Sequence, residues 1–505
     1  MSKEISFKKQ MPRNAVATLA SFLSRTIYVI FLTPYLLDRL GPAAYGLVPL
    51  AGILTQYVSI IANSLSAAIT RFISVELHKT DGGDPRVVFN TSIFMYAVLT
   101  VIQGFGFWLV IHNAQHILTI PEDILHDALV LITCSCIAFC MGFLGSVFKV
   151  SAYAMNRIDI ISGLQTGINV LRIVLTIILF PLIGSNLKTV GYIELSVGIV
   201  GLIVYIVSWR ILTPDLKISY KKIDVKRVKP ILEMSGWVLV TQLGVLLTTN
   251  TDIWVANKYI SADAGGVYAA TRQISFIIRQ ISNMAFTLTG PIIITMYAQA
   301  QFDNLRIFSC RCVRYASLLL AVGTSVLCIY SWDILYFWLG AEYKKYGLMF
   351  SIMVAPLYLS LCVFPMFQIQ TAAAKVRVMG IATLIFGVVS LGLSIVAVSL
   401  GHNKLLMLAM TGAIMLVIKN TIFVPLYTNK VLPGTGKIFQ YIMAGTVVFI
   451  LTAFIGWVIK LSCDTQSMFS VGFHMLVTII VGIAVIWLVL EKEERDFLYK
   501  IGKIH

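Results

Sequence analysis

Apolar runs of about twenty residues recur along almost the whole chain and limit what it can fold into. A helix of that length crosses the hydrocarbon core of a bilayer, and we count roughly fourteen such runs, separated by short polar loops. Of the 505 residues, 58% are hydrophobic and only 12% are charged. A soluble domain carries about twice that share of charge. The sequence therefore predicts an all-α integral membrane protein with about fourteen transmembrane helices.

Basic residues are unevenly distributed among the predicted loops. An even number of spans places both ends of the chain on one side, and most Lys and Arg residues fall in the loops of that side. Because basic loops stay in the cytoplasm, we expect both termini to be cytoplasmic. The net charge of +16 has the same explanation, so we expect no nucleic-acid partner.

The longest of these loops divides the chain. Its basic residues are Lys217, Lys221, Lys222, Lys226, Arg227 and Lys229. Such a segment predicts a cytoplasmic linker that tethers two halves and contacts anionic headgroups. We expect a six-helix bundle at 1–212, the linker at 213–230, a second six-helix bundle at 231–428, and two additional helices with a cytoplasmic tail at 429–505.

Weak internal similarity supports two related halves. The segment 40–46 reads LGPAAYG, and 260–266, at an offset of about 220 residues, reads ISADAGG. At the same offset, Asn63 aligns with Asn283. Paired halves around a central site are a common plan of transporters.

Several positively charged residues lie inside predicted spans: Arg25, Arg172, Arg272, Arg279 and Lys419. A charge in hydrocarbon costs a few kcal/mol, so each should face protein, water or an anion. Arg272 and Arg279 are one heptad apart and share a helical face, with Asn283 at its edge. Asp252 is the one acid that we place deep in a span, with Glu194 near an end. The surplus of positive charge predicts an anionic ligand, and a structural salt bridge is the alternative for each cation.

Polar side chains also recur every three or four residues on several spans. One stripe on the first span runs from Asn14 through Thr18 to Arg25, and one on the second includes Asn63. Each such helix would have one polar face in contact with water. Polar groups that join neighbouring helices are the alternative account.

Patterns typical of enzymes are missing from the sequence. It contains no phosphate-binding glycine loop, no His-Glu-x-x-His and no nucleophile elbow. The cysteines have no neighbouring His or carboxylate, so we expect no metal site. A membrane glycosyltransferase or ligase would need a sizeable outer domain, and the outer loops at 112–124 and 331–346 are too short for one. We expect a protein that is not an enzyme and that uses no cofactor.

Short segments at the starts of both halves resemble those of a known family. They are TPYLL at 33–37, LGPAAYG at 40–46, RFIS at 71–74, Thr251-Asp252, and AGGVY at 264–268. Together with the fourteen spans, they resemble the Wzx-type polysaccharide flippases of the MATE-like superfamily of multidrug, oligosaccharidyl-lipid and polysaccharide exporters.

The resemblance implies two six-helix bundles around a central cationic cavity, with two extra helices. It also implies a function: undecaprenyl-diphosphate-linked oligosaccharides would be flipped across the inner membrane by alternating access, for O-antigen, capsule or exopolysaccharide. The implied partners are the lipid-linked anionic oligosaccharide, membrane lipids, and a polysaccharide polymerase and sugar transferases of the same pathway.

On this resemblance, arginines would bind the diphosphate and sugar, since a guanidinium matches phosphate geometry. The implied substrate-binding residues are Arg25, Arg272, Arg279, Asn63, Asn283 and Arg172, and the implied charge-coupling residues are Asp252 and Lys419. Two relatives remain as alternatives. The lipid II flippase of peptidoglycan synthesis has a similar span count. Cation-coupled multidrug exporters have twelve spans and usually an acidic site in the first half, whereas the first span of this chain carries Arg25.

Overall fold

The computed structural model describes residues 7–78, 84–154, 157–214, 216–287, 289–373, 375–436, 438–462, 467–491 and 494–495. Within those ranges the regular structure is helical and contains no β-strand. Eleven helices of this part are long and apolar enough to cross a membrane. The predicted class, an all-α integral membrane protein, is confirmed.

The helices in the first part of the chain follow the predicted spans. They are α1 (Phe7–His78), α2 (Pro85–His112), α3 (Ala114–Ile117), α4 (Leu125–Ala154), α5 (Ile158–Ile183), α6 (Leu187–Leu212), α7 (Val228–Tyr259) and α8 (Ala262–Thr287). Three of the expected fourteen spans are not among the eleven crossing helices: the second part of α1, α7 and α8. All three are nevertheless helical.

The second part of the chain contains both long helices and several short ones. They are α9 (Thr289–Ala298), α10 (Phe302–Ile329), α11 (Ser331–Leu339), α12 (Gly347–Val354), α13 (Leu357–Leu361), α14 (Phe364–Ala372), α15 (Val376–Leu400), α16 (Lys404–Val417), α17 (Val424–Val431), α18 (Ile438–Ser462) and α19 (Met468–Val489). Proline accounts for several of the breaks, because it cannot donate a backbone hydrogen bond and clashes with the preceding turn. Pro356 precedes α13, and Pro365 lies in the first turn of α14.

The apolar run at 266–296, which we predict as one span, is covered by α8 and α9 on either side of residue 288, which lies outside the described residues. α8 ends at Thr287 and α9 begins at Thr289, so the polar face that carries Arg272 and Arg279 belongs to α8 alone. The apolar run at 405–427, which we predict as one span, changes its winding: α16 passes into a π-helical segment, Ile418–Phe423, before α17. Pro425 lies in the first turn of α17.

The long helix α1 is two helices joined at Gly41. Gly41 has φ 78° and ψ 165°, a backbone conformation that residues with a Cβ rarely adopt. Pro42 follows at once and cannot continue the hydrogen-bond ladder. The first and second predicted spans therefore meet with almost no loop between them.

The chain forms two compact units, and their boundary does not coincide with the basic linker. The first unit contains the residues up to Leu246 together with Ile253–Ala270. The second contains Leu247–Asp252 and the residues from Thr271 onward. α7 and α8 thus contribute residues to both units. The predicted division at 213–230 into equivalent halves stays a prediction.

Each unit has an apolar core of its own. In the first, the rings of Phe89 and Phe148 pack on Trp209, with centroid separations of 5.5 and 5.1 Å. In the second, Ile293, Val313 and Met366 belong to one fully buried cluster. Aromatic and branched side chains of this kind supply most of the packing energy of a helical protein.

The two segments that we aligned as a repeat pack against each other within the first unit. A Cβ on Gly46 would lie 2.7 Å from the backbone N of Gly266, and one on Gly266 would lie 1.8 Å from the carbonyl O of Pro42. Only glycines allow two helices to approach this closely. The sequence similarity between these segments thus includes glycines that form one joint.

A fully buried asparagine fixes the end of α7 next to this joint. The Asn257 Oδ1 accepts from the backbone N–H of Thr119 at 2.9 Å, and its Nδ2 donates to the carbonyl O of Thr119 at 3.3 Å. Trp254 donates from Nε1 to the Ile117 carbonyl at 3.1 Å. The end of α7 is therefore tied to the segment that follows α3.

The last two helices belong to the second unit and pack along α10. Leu318 and Val322 of α10 share a buried cluster with Val448 of α18 and Val485 of α19. Beyond α19, the buried guanidinium of Arg314 forms ion pairs with Glu491 at 2.8 Å and Glu494 at 3.1 Å. These pairs hold the segment after α19 against α10.

Candidate functional site

The two arginines of the predicted cationic face lie on one uninterrupted helix, α8. Arg272 and Arg279 are both half-buried, and Ser275, between them, is 4% exposed. The Arg272 Nη2 donates to Oδ1 of the buried Asn250 of α7 at 2.9 Å. Asn250 therefore orients the guanidinium through a neutral amide oxygen.

Lys419 is the most deeply buried cation of this region. Its side chain is 6% exposed and lies in the π-helical segment, a backbone form that often occurs at functional sites. Among the described residues no carboxylate forms an ion pair with Lys419, and the guanidinium of Arg279 lies close enough to repel it. A buried cation that is also repelled by a second positive charge favours an anion beside it.

Asp252 occupies a tight position in the second unit. The carboxylate is half-buried, and its Oδ2 lies 3.0 Å from where a Cβ on Gly412 of α16 would be. Gly412 therefore leaves just enough room for this carboxylate. A glycine at such a place indicates close packing rather than backbone flexibility.

We expect Gly412→Ala to lower transport while the protein still folds. The new methyl group would push the Asp252 carboxylate aside, and a displacement of that size at a working group can cost about tenfold or more in rate. The measurement is transport activity, normalised to the amount of folded protein in the membrane. Gly392→Ala in α15 is the matched control, because a Cβ there meets nothing within 4 Å. Equal activity of the two variants would contradict the assigned importance of Asp252.

Arg172 already has a protein partner, which the sequence reasoning did not assign. Its Nε lies 2.8 Å from Oε1 of Glu194 and its Nη2 donates to Oε2 at 2.8 Å, a two-pronged ion pair between α5 and α6. The guanidinium also lies over the ring of Tyr28, with its Cζ 5.4 Å from the centroid. The surplus-charge argument therefore does not extend to Arg172: the structural salt bridge given as the alternative is present.

We expect Glu194→Gln to destabilise the protein by about 2 kcal/mol, because it leaves a half-buried guanidinium without its counter-charge. The double variant Arg172→Gln/Glu194→Gln should recover most of the loss. Thermal unfolding in detergent checks both. If the double variant recovers stability but not transport, Arg172 has a direct part in transport as well.

Arg25 lies one turn before Tyr28 on α1 and differs from Arg172. Its side chain is exposed, and the nearby Arg172 guanidinium repels it. Asn283 is likewise exposed, near the end of α8. Asn63 is in the helical part of α1, but its side chain lies outside the described part of the structure.

The polar stripe at the start of α1 is used largely for helix packing. The Asn14 Oδ1 accepts from the backbone N–H of Asp159 at 2.9 Å, and the hydroxyls of Thr18 and Ser162 lie 3.3 Å apart. These contacts bind α1 to α5, as expected where polar groups knit membrane helices together.

Asn250 is the contributor to the site that sequence reasoning missed. It lies in a polar run with Thr251 and Asp252, and only the acidic member of that run was singled out. Which of three adjacent residues faces α8 depends on how the two helices are rotated relative to each other, and a single sequence carries no direct signal for that.

A buried lysine in a helix that can cross the membrane, together with half-buried arginines on α8, indicates the class of protein. Ionisable residues at such positions are typical of substrate and ion pathways in transporters. Comparisons with known proteins agree with this class. Residues 9–296, more than half of the chain, match the family described as polysaccharide biosynthesis protein. The chain belongs to that family.

One curated relative is similar over almost its whole length. The uncharacterized membrane protein EpsK of Bacillus subtilis (strain 168) is 26% identical over 499 residues, which cover 96% of this chain and 97% of EpsK. With the family, this likeness supports a membrane transporter of the polysaccharide-biosynthesis type.

Solved structures show the same fold. The lipid II flippase MurJ in an inward closed conformation has a TM-score of 0.68 at 15% identity, covering 96% of this chain and 99% of MurJ. An inward-facing multidrug resistance MATE transporter of the MOP superfamily has a TM-score of 0.64 at 16% identity, and the match covers 84% of this chain and 100% of that transporter. The chain is thus a multi-pass membrane protein with the fold of that superfamily.

Proposed function

We propose that this protein flips undecaprenyl-diphosphate-linked oligosaccharide units across the inner membrane by alternating access, for the synthesis of O-antigen, capsule or exopolysaccharide. The transported molecule is an anionic diphosphate with a polar sugar and a lipid tail. Its head needs cations and a polar path, and its tail can remain in the bilayer.

The observation that carries this proposal is the buried ammonium of Lys419, with the positive charge of Arg279 in the same region. Burying a cation is unfavourable unless something supplies negative charge. Lys419 has no ion-pair partner among the described residues, and a diphosphate would relieve the repulsion between the two side chains. A neutral or cationic substrate would not.

The proposed roles of the individual residues follow their chemistry. Arg25, Arg272 and Arg279 bind the diphosphate and the sugar, and Asn63 and Asn283 add hydrogen bonds. Asp252 and Lys419 adjust the charge balance as the substrate enters and leaves. Arg172 contributes by holding α5 against α6 through Glu194, and through its ring contact with Tyr28.

The proposed orientation places both termini and the linker 213–230 in the cytoplasm, since most basic loop residues fall on that side. Sugar transferases that assemble the substrate and a polymerase that consumes the product would act before and after this protein. The transferases need the lipid-linked saccharide at one leaflet of the membrane, and the polymerase needs it at the other.

Two alternatives share parts of this plan. Transport of lipid II would use the same diphosphate chemistry, and the structural likeness to MurJ covers 96% of this chain. The likeness to the multidrug transporter covers 84% of this chain, against 96% for MurJ. The fourteen predicted spans, two more than the twelve of a drug exporter, fit the lipid-linked substrate better.

The proposal is tested by substituting Arg25 in a strain that lacks its own copy of the gene. Arg25→Lys should keep part of the surface polysaccharide, because lysine retains the positive charge but lacks the planar guanidinium. Arg25→Ala should lose nearly all of it. Surface polysaccharide is quantified against protein level in the membrane. Equal export by the two variants would show that the charge of Arg25 is irrelevant. Rescue of a strain depleted of its lipid II flippase would favour the alternative substrate.

A further inference from the structure

The basic linker between α6 and α7 is not a loose tether but a segment fixed to the first unit. The buried Asn90 side chain of α2 accepts from the backbone N–H of Ser219 at 2.6 Å and donates to the Lys217 carbonyl at 3.1 Å. The buried Thr91 hydroxyl accepts from the backbone N–H of Asp224 at 3.0 Å. Leu216 is 5% exposed within the core of that unit.

An ion pair completes this attachment. Lys222 binds Asp84, the residue that caps the start of α2. The Lys222 ammonium and the backbone N–H of Arg86 lower the pKa of the Asp84 carboxyl from its ordinary value. A carboxyl with a lowered pKa stays ionised at neutral pH, so the pair persists there and is lost only as the pH falls through that pKa.

Six other side chains of the linker are exposed, and they are of two kinds. Its apolar members are Ile218, Tyr220 and Val225, which are 54%, 79% and 67% exposed. Its basic members are Lys217, Lys221 and Lys226, all exposed. We call these six residues the linker face. Exposed apolar groups of this size would be poorly placed in water, and the intervening lysines argue against burial in a protein core.

The position of the linker face relative to the membrane follows from the helices that flank it. α6, a membrane-crossing helix, ends at Leu212, and α2, another, begins at Pro85 next to the attachment residues. The linker face therefore lies beside the ends of two helices that are long and apolar enough to cross a membrane. Aliphatic and aromatic groups interleaved with lysines suit the boundary between acyl chains and headgroups.

We propose that the linker face is a built binding surface for acidic phospholipids of the leaflet on its own side. Ile218, Tyr220 and Val225 enter the interfacial layer, and Lys217, Lys221 and Lys226 contact the phosphate groups. The lipid is identified by charge complementarity, since zwitterionic headgroups offer no net attraction to three lysines. On the orientation given in the proposed function, that leaflet is the cytoplasmic one.

Hydrogen exchange of the full-length protein in lipid nanodiscs tests this inference. Backbone amides of the linker should exchange about tenfold or more slowly in phosphatidylglycerol-containing nanodiscs than in phosphatidylcholine ones, with the difference removed by high salt. The triple variant Lys217→Gln/Lys221→Gln/Lys226→Gln should abolish the difference. The matched control, Lys344→Gln/Lys345→Gln/Lys404→Gln, removes three exposed lysines elsewhere and should keep it.

Identical exchange in the two lipids would overturn the inference, and so would a difference that survives the linker triple variant. A second variant, Ile218→Ser/Tyr220→Ser/Val225→Ser, should speed linker exchange in both lipids, and unchanged rates would show that these side chains stay out of the bilayer. Nanodiscs expose both leaflets, so these results do not depend on orientation.

Labelling of a Tyr220→Cys variant with an impermeant maleimide, in sealed vesicles of each orientation, tests the assigned side separately. Export assays test the proposed function separately.

Discussion

Arg272→Ala and Arg279→Ala are each expected to reduce export of the polysaccharide to background while membrane levels of the protein stay normal. Each change removes charge-assisted hydrogen bonds to a diphosphate, and the loss of such bonds costs on the order of 10- to 100-fold in binding. The measurement is surface polysaccharide per folded protein in a deletion strain. Arg377→Ala, which removes an exposed arginine of α15, is the control and should export normally.

Asn250→Asp gives the sharper version of this test. The new carboxylate would lie about where Asn250 Oδ1 now accepts from Arg272 at 2.9 Å, and would compete with an anionic substrate for the guanidinium. If Arg272 binds an anionic substrate, this variant should be thermally at least as stable as the wild type and yet inactive. If Arg272 is only structural, Asn250→Asp should be stable and active. Normal export by Asn250→Asp would therefore exclude Arg272 from substrate binding.

Gly266→Ala is expected to have the largest effect on folding, with a loss of about 3 kcal/mol or more in the free energy of unfolding. The added Cβ would lie 1.8 Å from the Pro42 carbonyl O, and a backbone atom cannot rotate away. The two helices at this joint would have to separate. Thermal unfolding in detergent, followed by size-exclusion chromatography, measures the loss.

Gly163→Ala in α5 is the control for the helical propensity of alanine. A Cβ there meets nothing within 4 Å, so this variant should unfold at or above the wild-type temperature. Equal melting temperatures for the Gly266 and Gly163 variants would show that the close approach at Gly266 is not needed for stability.

The cationic site shows which of its properties a sequence can give. The spacing of Arg272 and Arg279 placed both on one face of α8, and they do share that uninterrupted helix, because helical periodicity is a local property. The ion pairs that such side chains form are not a local property of the sequence. Glu194 lies 22 positions from Arg172 in the chain, and their ion pair depends on how α5 and α6 pack. Asn250 escaped notice for the same reason.

The sequence by itself determined that this is an all-helical membrane protein and where its apolar spans lie. Backbone N–H and C=O groups cannot be left unpaired in hydrocarbon, so an apolar run inside a membrane forms a helix. Composition and the lengths of the apolar runs were therefore enough to predict the fold class. Tertiary structure alone decided that α7 and α8 contribute to both compact units, that Gly46 meets Gly266, and that the basic linker is fastened to α2 by Asn90. Those features depend on the rotation and separation of helices far apart in the chain, which are set by side-chain packing and not by the polarity of any one segment.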